Sequence, residues 1–123
     1  MRVFSQLNTN EALDVAIEIT PAISNIVEDE NLVAELRKTM PEGEATKAAV
    51  MHFGMTKIVH LMPILLKTHR DDVYSILAPF NGMSADEIGK QNFVKTCMQV
   101  RSLVQDKGFM DFFKSSLDGE QNM

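Results

Sequence analysis

Cysteine is nearly absent from this chain. A single one, Cys97 in 123 residues, excludes an internal disulfide and fits a reducing compartment. On an apolar helix face it reads as a small core residue rather than a reactive thiol. Basic charge is in short supply. Twelve Lys and Arg against 17 Asp and Glu leave a net charge of −5, which argues against nucleic acid as the main partner, because phosphate binding needs a basic face. Long apolar runs are missing. The most apolar stretch, 58–66, is interrupted by His60 and Pro63 and falls well short of the roughly 20 residues of a membrane span. The opening MRVFSQLN lacks the apolar run of a secretory signal. These absences predict a cytoplasmic chain with no membrane partner. Two-residue alternation and a fixed-period repeat are absent too, so strands and solenoid arrays are not expected.

Catalytic signatures are also missing. His69-Arg70-Asp71 looks like the catalytic-loop triplet of a protein kinase, but that motif places an Asn five residues after the Asp, and here the position holds Ile76. No G-x-G-x-x-G loop precedes it, and Asp111-Phe112-Phe113 lacks the glycine of D-F-G. The simpler reading is a helix start, with Thr68 as cap and Asp71 and Asp72 in the first turn. The three histidines, His52, His60 and His69, are eight and nine apart, whereas a zinc site takes ligands about one turn apart or a Cys/His cluster. No local Ser-His-Asp or Cys-His grouping stands out, although a dispersed site stays open. Lys67, His69 and Arg70 read as a solvated helix end, and Glu28-Asp29-Glu30 as a junction facing water. The chain is therefore read as a non-enzyme, with no metal and no cofactor.

What is present is helical periodicity. Residues 10–28 carry Leu13, Ala16, Ile17 and Thr20 on one stripe and Val15, Ile19, Ile23 and Ile26 on the next, predicting a broad buried face. Asn8 with Glu11 forms a capping pair, and Pro21 should kink or split the helix. Residues 30–39 hold Leu32, Val33 and Leu36, and Pro41-Glu42-Gly43 signals a stop. Residues 44–67, with Met51, Met55, Ile58, Met62 and Leu65 at helical spacing and Val59 and Leu66 widening the stripe, predict a central helix that Pro63 bends or ends. Residues 69–78 come next with Val73, Ile76, Leu77 and Phe80, closed by Asn81-Gly82 as a left-handed cap. Ser84-Ala85-Asp86-Glu87 is a capping box. Residues 90–105 place Phe93, Cys97, Val100 and Val104 on one face, Lys107-Gly108 breaks the pattern, and 109–117 form a short aromatic helix with Phe109, Phe112, Phe113 and Leu117. The fold class is thus all-α: a single domain of about five to seven helices in an irregular bundle, with 1–8 and 118–123 as flexible ends. Pro21 and Pro63 argue against a regular four-helix bundle.

Two compositional features bear on binding. Nine methionines are many for this length, and flexible thioethers suit both adaptable cores and surfaces that accept varied partners. Met51, Met55 and Met62 read as core. Phe109, Met110, Phe112 and Phe113 set four large apolar groups in five consecutive positions, more than one helical face can bury. They are either wedged into the core or form a candidate interaction surface.

Three stretches, taken together, carry a resemblance. L-L-K-x-H-R-D-D-V-Y-S-I-L-A over 65–78, N-G-M-S-A-D-E-I over 81–88 and the closing M-D-F-F-K-S-S within 109–116 resemble the tail assembly chaperones of long-tailed phages and prophages of Gram-positive bacteria. The first helix, EALDVAIEITPAI, matches more loosely. The resemblance implies a non-enzymatic protein encoded between the major tail protein and the tape measure protein. Such proteins coat the apolar helices of the tape measure protein, keep it soluble and help to recruit tail-tube subunits. They tend to self-associate, act in the host cytoplasm and are absent from the mature virion. Many are made in two lengths by a −1 ribosomal frameshift, the longer form reaching the major tail protein. The family has no invariant active site, so it transfers no site residue.

A −1 slip needs codons of the form N-N-X X-X-Y Y-Y-Z. Asp111-Phe112-Phe113 permits it with strict identity near the end of the chain, encoded GAU UUU UUC. A longer product diverging there would lose KSSLDGEQNM. The alternative function is a small helical regulatory or adaptor module that binds a partner helix. A helix-turn-helix over 84–104 is a weaker reading, because its second helix offers little beyond Lys90, Lys95 and Arg101.

Overall fold

The Asn8 side-chain oxygen takes the Glu11 N–H at 2.9 Å, and the Glu11 carboxylate takes the Asn8 N–H at 3.2 Å. That reciprocal pair opens α1 (Thr9–Val27). In the computed structural model, which describes residues 1–39 and 46–121, a 3-10 turn (Phe4–Gln6) precedes seven α-helices. After α1 come α2 (Glu30–Thr39), α3 (Lys47–Thr56), α4 (Ile58–Asn81), α5 (Ala85–Lys90), α6 (Phe93–Gln105) and α7 (Lys107–Gln121). There is no strand among the described residues, and the all-α expectation holds. The expected stop at Pro41-Glu42-Gly43 lies outside them, as do the side chains of Met55, Val59 and Leu117.

Helix α4 is the spine. α1 packs along it, α5 and α6 close against its second half, α2 packs on α3, and α7 lies on α6 and the N-terminal turn. One continuous core runs from Val15, Ile19 and Ile23 of α1 through Met62, Val73 and Leu77 of α4 to Val100, Leu103 and Phe109. Burying such side chains stabilises by about 1.5–3 kcal/mol each, the main favourable term in a chain of this size.

Several expected boundaries move. Pro21 lies on the exposed side of α1 and does not split it. The Ile17 carbonyl that loses its partner faces the same exposed side as Ile17 itself, where water can replace the bond. The expected 44–67 helix is two helices, and the break is at Lys57 rather than Pro63. There the Thr56 hydroxyl donates to the Phe53 carbonyl at 2.8 Å, while the Lys57 N–H is shared between the carbonyls of Phe53 and Gly54. That tightens the last turn of α3 and lets the chain reverse. Pro63 and Pro79 both sit within α4, whose one non-helical residue is His69 (φ −127°, ψ 28°). Two helical segments join across that kink, so the expected start of segment 69–78 falls at a real break, with His69 rather than Thr68 as its non-helical residue. Gly82, at φ 62°, ends α4 in the left-handed conformation as expected. The Ser84–Glu87 box opens α5, with both bonds at 3.1 Å.

Two faces are rotated from expectation. On α1 only the second stripe is buried, and Leu13, Ile17 and Thr20 face out. On α6 the buried residues are Thr96, Gln99, Val100 and Leu103, and Phe93 is exposed. On α6 the cause is a polar network that the apolar pattern cannot show. Gln91 donates to Thr96 Oγ1 and Gln99 Oε1 at 3.0 and 2.9 Å, and Gln99 and Asn81 exchange amide bonds at 3.0 and 3.2 Å. Mutual bonding offsets most of the cost of burying these amides, with Gln91 Oε1 left as a buried oxygen without a partner among the described residues.

The Lys107-Gly108 pair begins α7 instead of breaking a pattern. Asp106 Oδ2 takes the Phe109 N–H at 3.0 Å and the Ser5 N–H at 3.1 Å, so one carboxylate both caps α7 and fastens the N-terminal turn.

Candidate functional site

The four residues Phe109, Met110, Phe112 and Phe113 occupy three environments. Phe109 (4 % exposed) and Phe113 (8 %) are in the core, their ring centroids 6.4 Å apart. Phe112 points the other way and stacks on Phe4 at 5.4 Å with 20° between planes. Phe4 in turn meets Phe80 edge-on at 6.5 Å, and Phe80 meets Phe109 at 6.2 Å. The Arg2 N–H donates to the Phe80 carbonyl at 3.1 Å. Of the two alternatives for this cluster, Phe109 and Phe113 take the wedge into the core, and the 3-10 turn at the N-terminus supplies the second face that α7 needs. Met110 alone of the four lines a groove.

That groove, about 700 Å³, opens between the α3–α4 turn and the α6–α7 turn. Ile58, Val104 and Met110 are its apolar part. His52, Lys57, His60, Arg101 and Lys107 stand around them, and among the described residues no carboxylate lines it. In a chain of net charge −5 this is a local reversal of sign. Ile58 and Val104 also wall an interior cavity of about 100 Å³, whose lining, including Ile23, Leu61, Leu77 and Phe113, is entirely apolar. It can hold an apolar group only.

A second cluster corrects two expectations: His69, read as part of a solvated helix end, is buried, and Asp29, read as part of a junction facing water, bonds it. His69, nearly buried at the α4 kink, places Nδ1 2.8 Å from Asp72 Oδ2 and Nε2 2.7 Å from Asp29 Oδ2. Asp29 Oδ1 caps α2 through the Asn31 and Leu32 N–H groups, and Asp72 Oδ1 accepts from Asn25 at 2.9 Å. Burial pushes the imidazole toward its neutral form, but the bonds and charges of Asp72 and Asp29 outweigh it and leave the pKa raised. The hydrogen bond from His69, then the Leu32 N–H, hold the Asp29 carboxyl below its ordinary value. With both ring nitrogens engaged by carboxylates, neither is free to activate a nucleophile or bind a metal. Among the described residues no His, Cys, Asp and Glu group is arranged to hold a metal ion, and no helix is long and apolar enough to cross a membrane.

Two exposed apolar rows remain. On α1, Leu13 and Ile17 (66 % exposed) stand beside Asp14 and Glu18. On α6, Val94 (65 % exposed) and Met98 continue as Arg101 and Gln105 toward the groove. The apolar pattern placed Leu13 and Ile17 in the core and did not single out the α6 row. The signal was available in part, since neither helix mixes charge sign: α1 holds only carboxylates and α6 only cations. The groove could not be read, because its residues come from two stretches, 52–60 and 101–110, that are far apart in sequence. The chain matches no known protein-family profile, no curated protein sequence and no solved structure.

Proposed function

We propose that this protein is a tail assembly chaperone of a long-tailed phage or prophage of a Gram-positive host. In this reading it binds the apolar helices of the tape measure protein, keeps them from aggregating and helps to recruit tail-tube subunits, without catalysis. The observation that carries it is the ordered resemblance of 65–78, 81–88 and 109–116. The exposed apolar rows of α1 and α6 on an acidic helical body are compatible with it, because an amphipathic partner helix can be covered by such rows in helix-in-groove fashion. Repeated weak contacts along a long partner would add up through avidity.

A −1 slip at Phe112-Phe113 fits the same role. It falls inside α7 after the buried Phe109 and at the buried Phe113, so the longer product would keep both core anchors and exchange only the residues beyond Phe113. Disrupting the gene in an inducible prophage tests the function. Tail-less particles, with tails restored by supplying the protein in trans, are expected. Normal tails without the gene contradict the proposal.

A further inference from the structure

We propose that the groove between the α3–α4 and α6–α7 turns binds a medium-chain fatty acid, its carboxylate on the basic rim and its alkyl chain passing between Ile58 and Val104 into the interior cavity. The rim is free to take an anion. Lys57, His60, Arg101 and Lys107 are exposed, and none of them has an ion pair among the described residues. Asp106, the carboxylate next to Lys107 in the chain, accepts instead from the N–H groups of Ser5 and Phe109. Basic groups gathered in one concavity focus their field there, while the net charge of −5 opposes the approach of a large polyanion.

The floor of the groove selects the rest of the ligand. Ile58, Val104 and Met110 are aliphatic, and among the described residues no Phe or Tyr lines the groove as a platform for stacked bases. Ile58 and Val104, both half-buried, also wall the apolar cavity of about 100 Å³, so a chain lying on the floor has a route inward between them. Apolar cavities of about 150 Å³ take up benzene, so this smaller one takes the last few carbons of an alkyl chain. An unbranched chain has no polar group to leave unpaired on that path, whereas a peptide would carry backbone amides across the aliphatic floor. The two spaces together set the length: a short chain stops on the floor, and one that overfills the cavity leaves its excess carbons in water.

Calorimetric titration of the full chain with hexanoate, octanoate, decanoate and dodecanoate tests this. One-to-one binding is expected, with affinity rising about fourfold per methylene and levelling off once the cavity is filled. Decanol, which lacks the charge, should bind about tenfold more weakly than decanoate. Lys57→Glu/Arg101→Glu, at two exposed positions, should weaken decanoate about tenfold or more with helical content unchanged. Val104→Phe narrows the passage and should bring the levelling-off to a shorter chain. If that variant does not fold, the charge reversal and the chain-length series decide alone. Affinity that keeps rising through dodecanoate, decanol binding as well as decanoate, or indifference to the charge reversal overturns the proposal. Binding of poly-glutamate or of phosphatidylglycerol vesicles, with none of decanoate, overturns it too. The titration needs no tape measure protein, so its failure and that of the tail-assembly reading are separately visible.

Discussion

A histidine flanked by two carboxylates can donate to both only as the imidazolium, and His69 is placed in that way between Asp29 and Asp72. Its folded pKa lies above the ordinary 6.5, so the stability it contributes is complete below that value and is lost as pH rises through the raised one. Asp29, lowered from 3.8, contributes stability that is complete above 3.8 and is lost as pH falls through its depressed value. Denaturant unfolding across pH should therefore show a plateau in the mildly acidic range and a decline on the alkaline side. His69→Gln should remove the alkaline decline and cost about 2 kcal/mol on the plateau, the scale of hydrogen bonds to charged groups. An unchanged pH profile in that variant would show that the junction does not hold the proton. His69 and Asp72 are three apart, one turn of helix, but Asp72 reads in sequence as a first-turn carboxylate and His69 as part of a solvated end, so their pairing was not legible. Asp29, forty positions away, entered only through the packing of the α1–α2 junction on α4.

Caps proved the most legible elements. Asn8 with Glu11, Ser84 with Glu87 and the left-handed Gly82 are local chemistry, and each lies where the residue types place it. Gly82→Ala has open space for the added methyl group but keeps φ positive, so it should destabilise by about 1 kcal/mol in thermal or denaturant unfolding, while a neutral result would mean that the cap relaxes. The break at Lys57 rests on local bonds of Thr56 and Lys57 that the apolar pattern does not show, whereas the start of α7 at Lys107 and the rotated faces of α1 and α6 depend on partners distant in sequence. The pairing of Phe4 with Phe112 shows why. Residues near position 4 decide whether an aromatic side chain at position 112 is covered. Phe4→Ala should cost about 2 kcal/mol, less than a fully buried Phe, and raise binding of a hydrophobic dye. No change in dye binding would mean that Phe112 is covered by other means.

For the whole molecule, the fold class comes from periodicity, because every long segment repeats at helical spacing and none at two. What periodicity could not supply is which apolar positions stay outside. Leu13 and Ile17 have the residue types of a core, and only the arrangement of α1 on α4 turns them to water. In the proposed role those outward positions are the working surface. A double substitution there, Leu13→Ser/Ile17→Ser, should leave thermal stability nearly unchanged, within about 0.5 kcal/mol, yet reduce any activity that depends on covering apolar helices. A large loss of stability would instead place the two side chains in the core. The chaperone role is tested most directly by co-expressing this chain with the tape measure protein that the role implies is encoded beside it and measuring the fraction of tape measure protein in the soluble phase. With wild type the tape measure protein should stay soluble and co-purify, and without the chain it should aggregate. Tape measure protein equally insoluble, or equally soluble, with and without the chain would contradict that role.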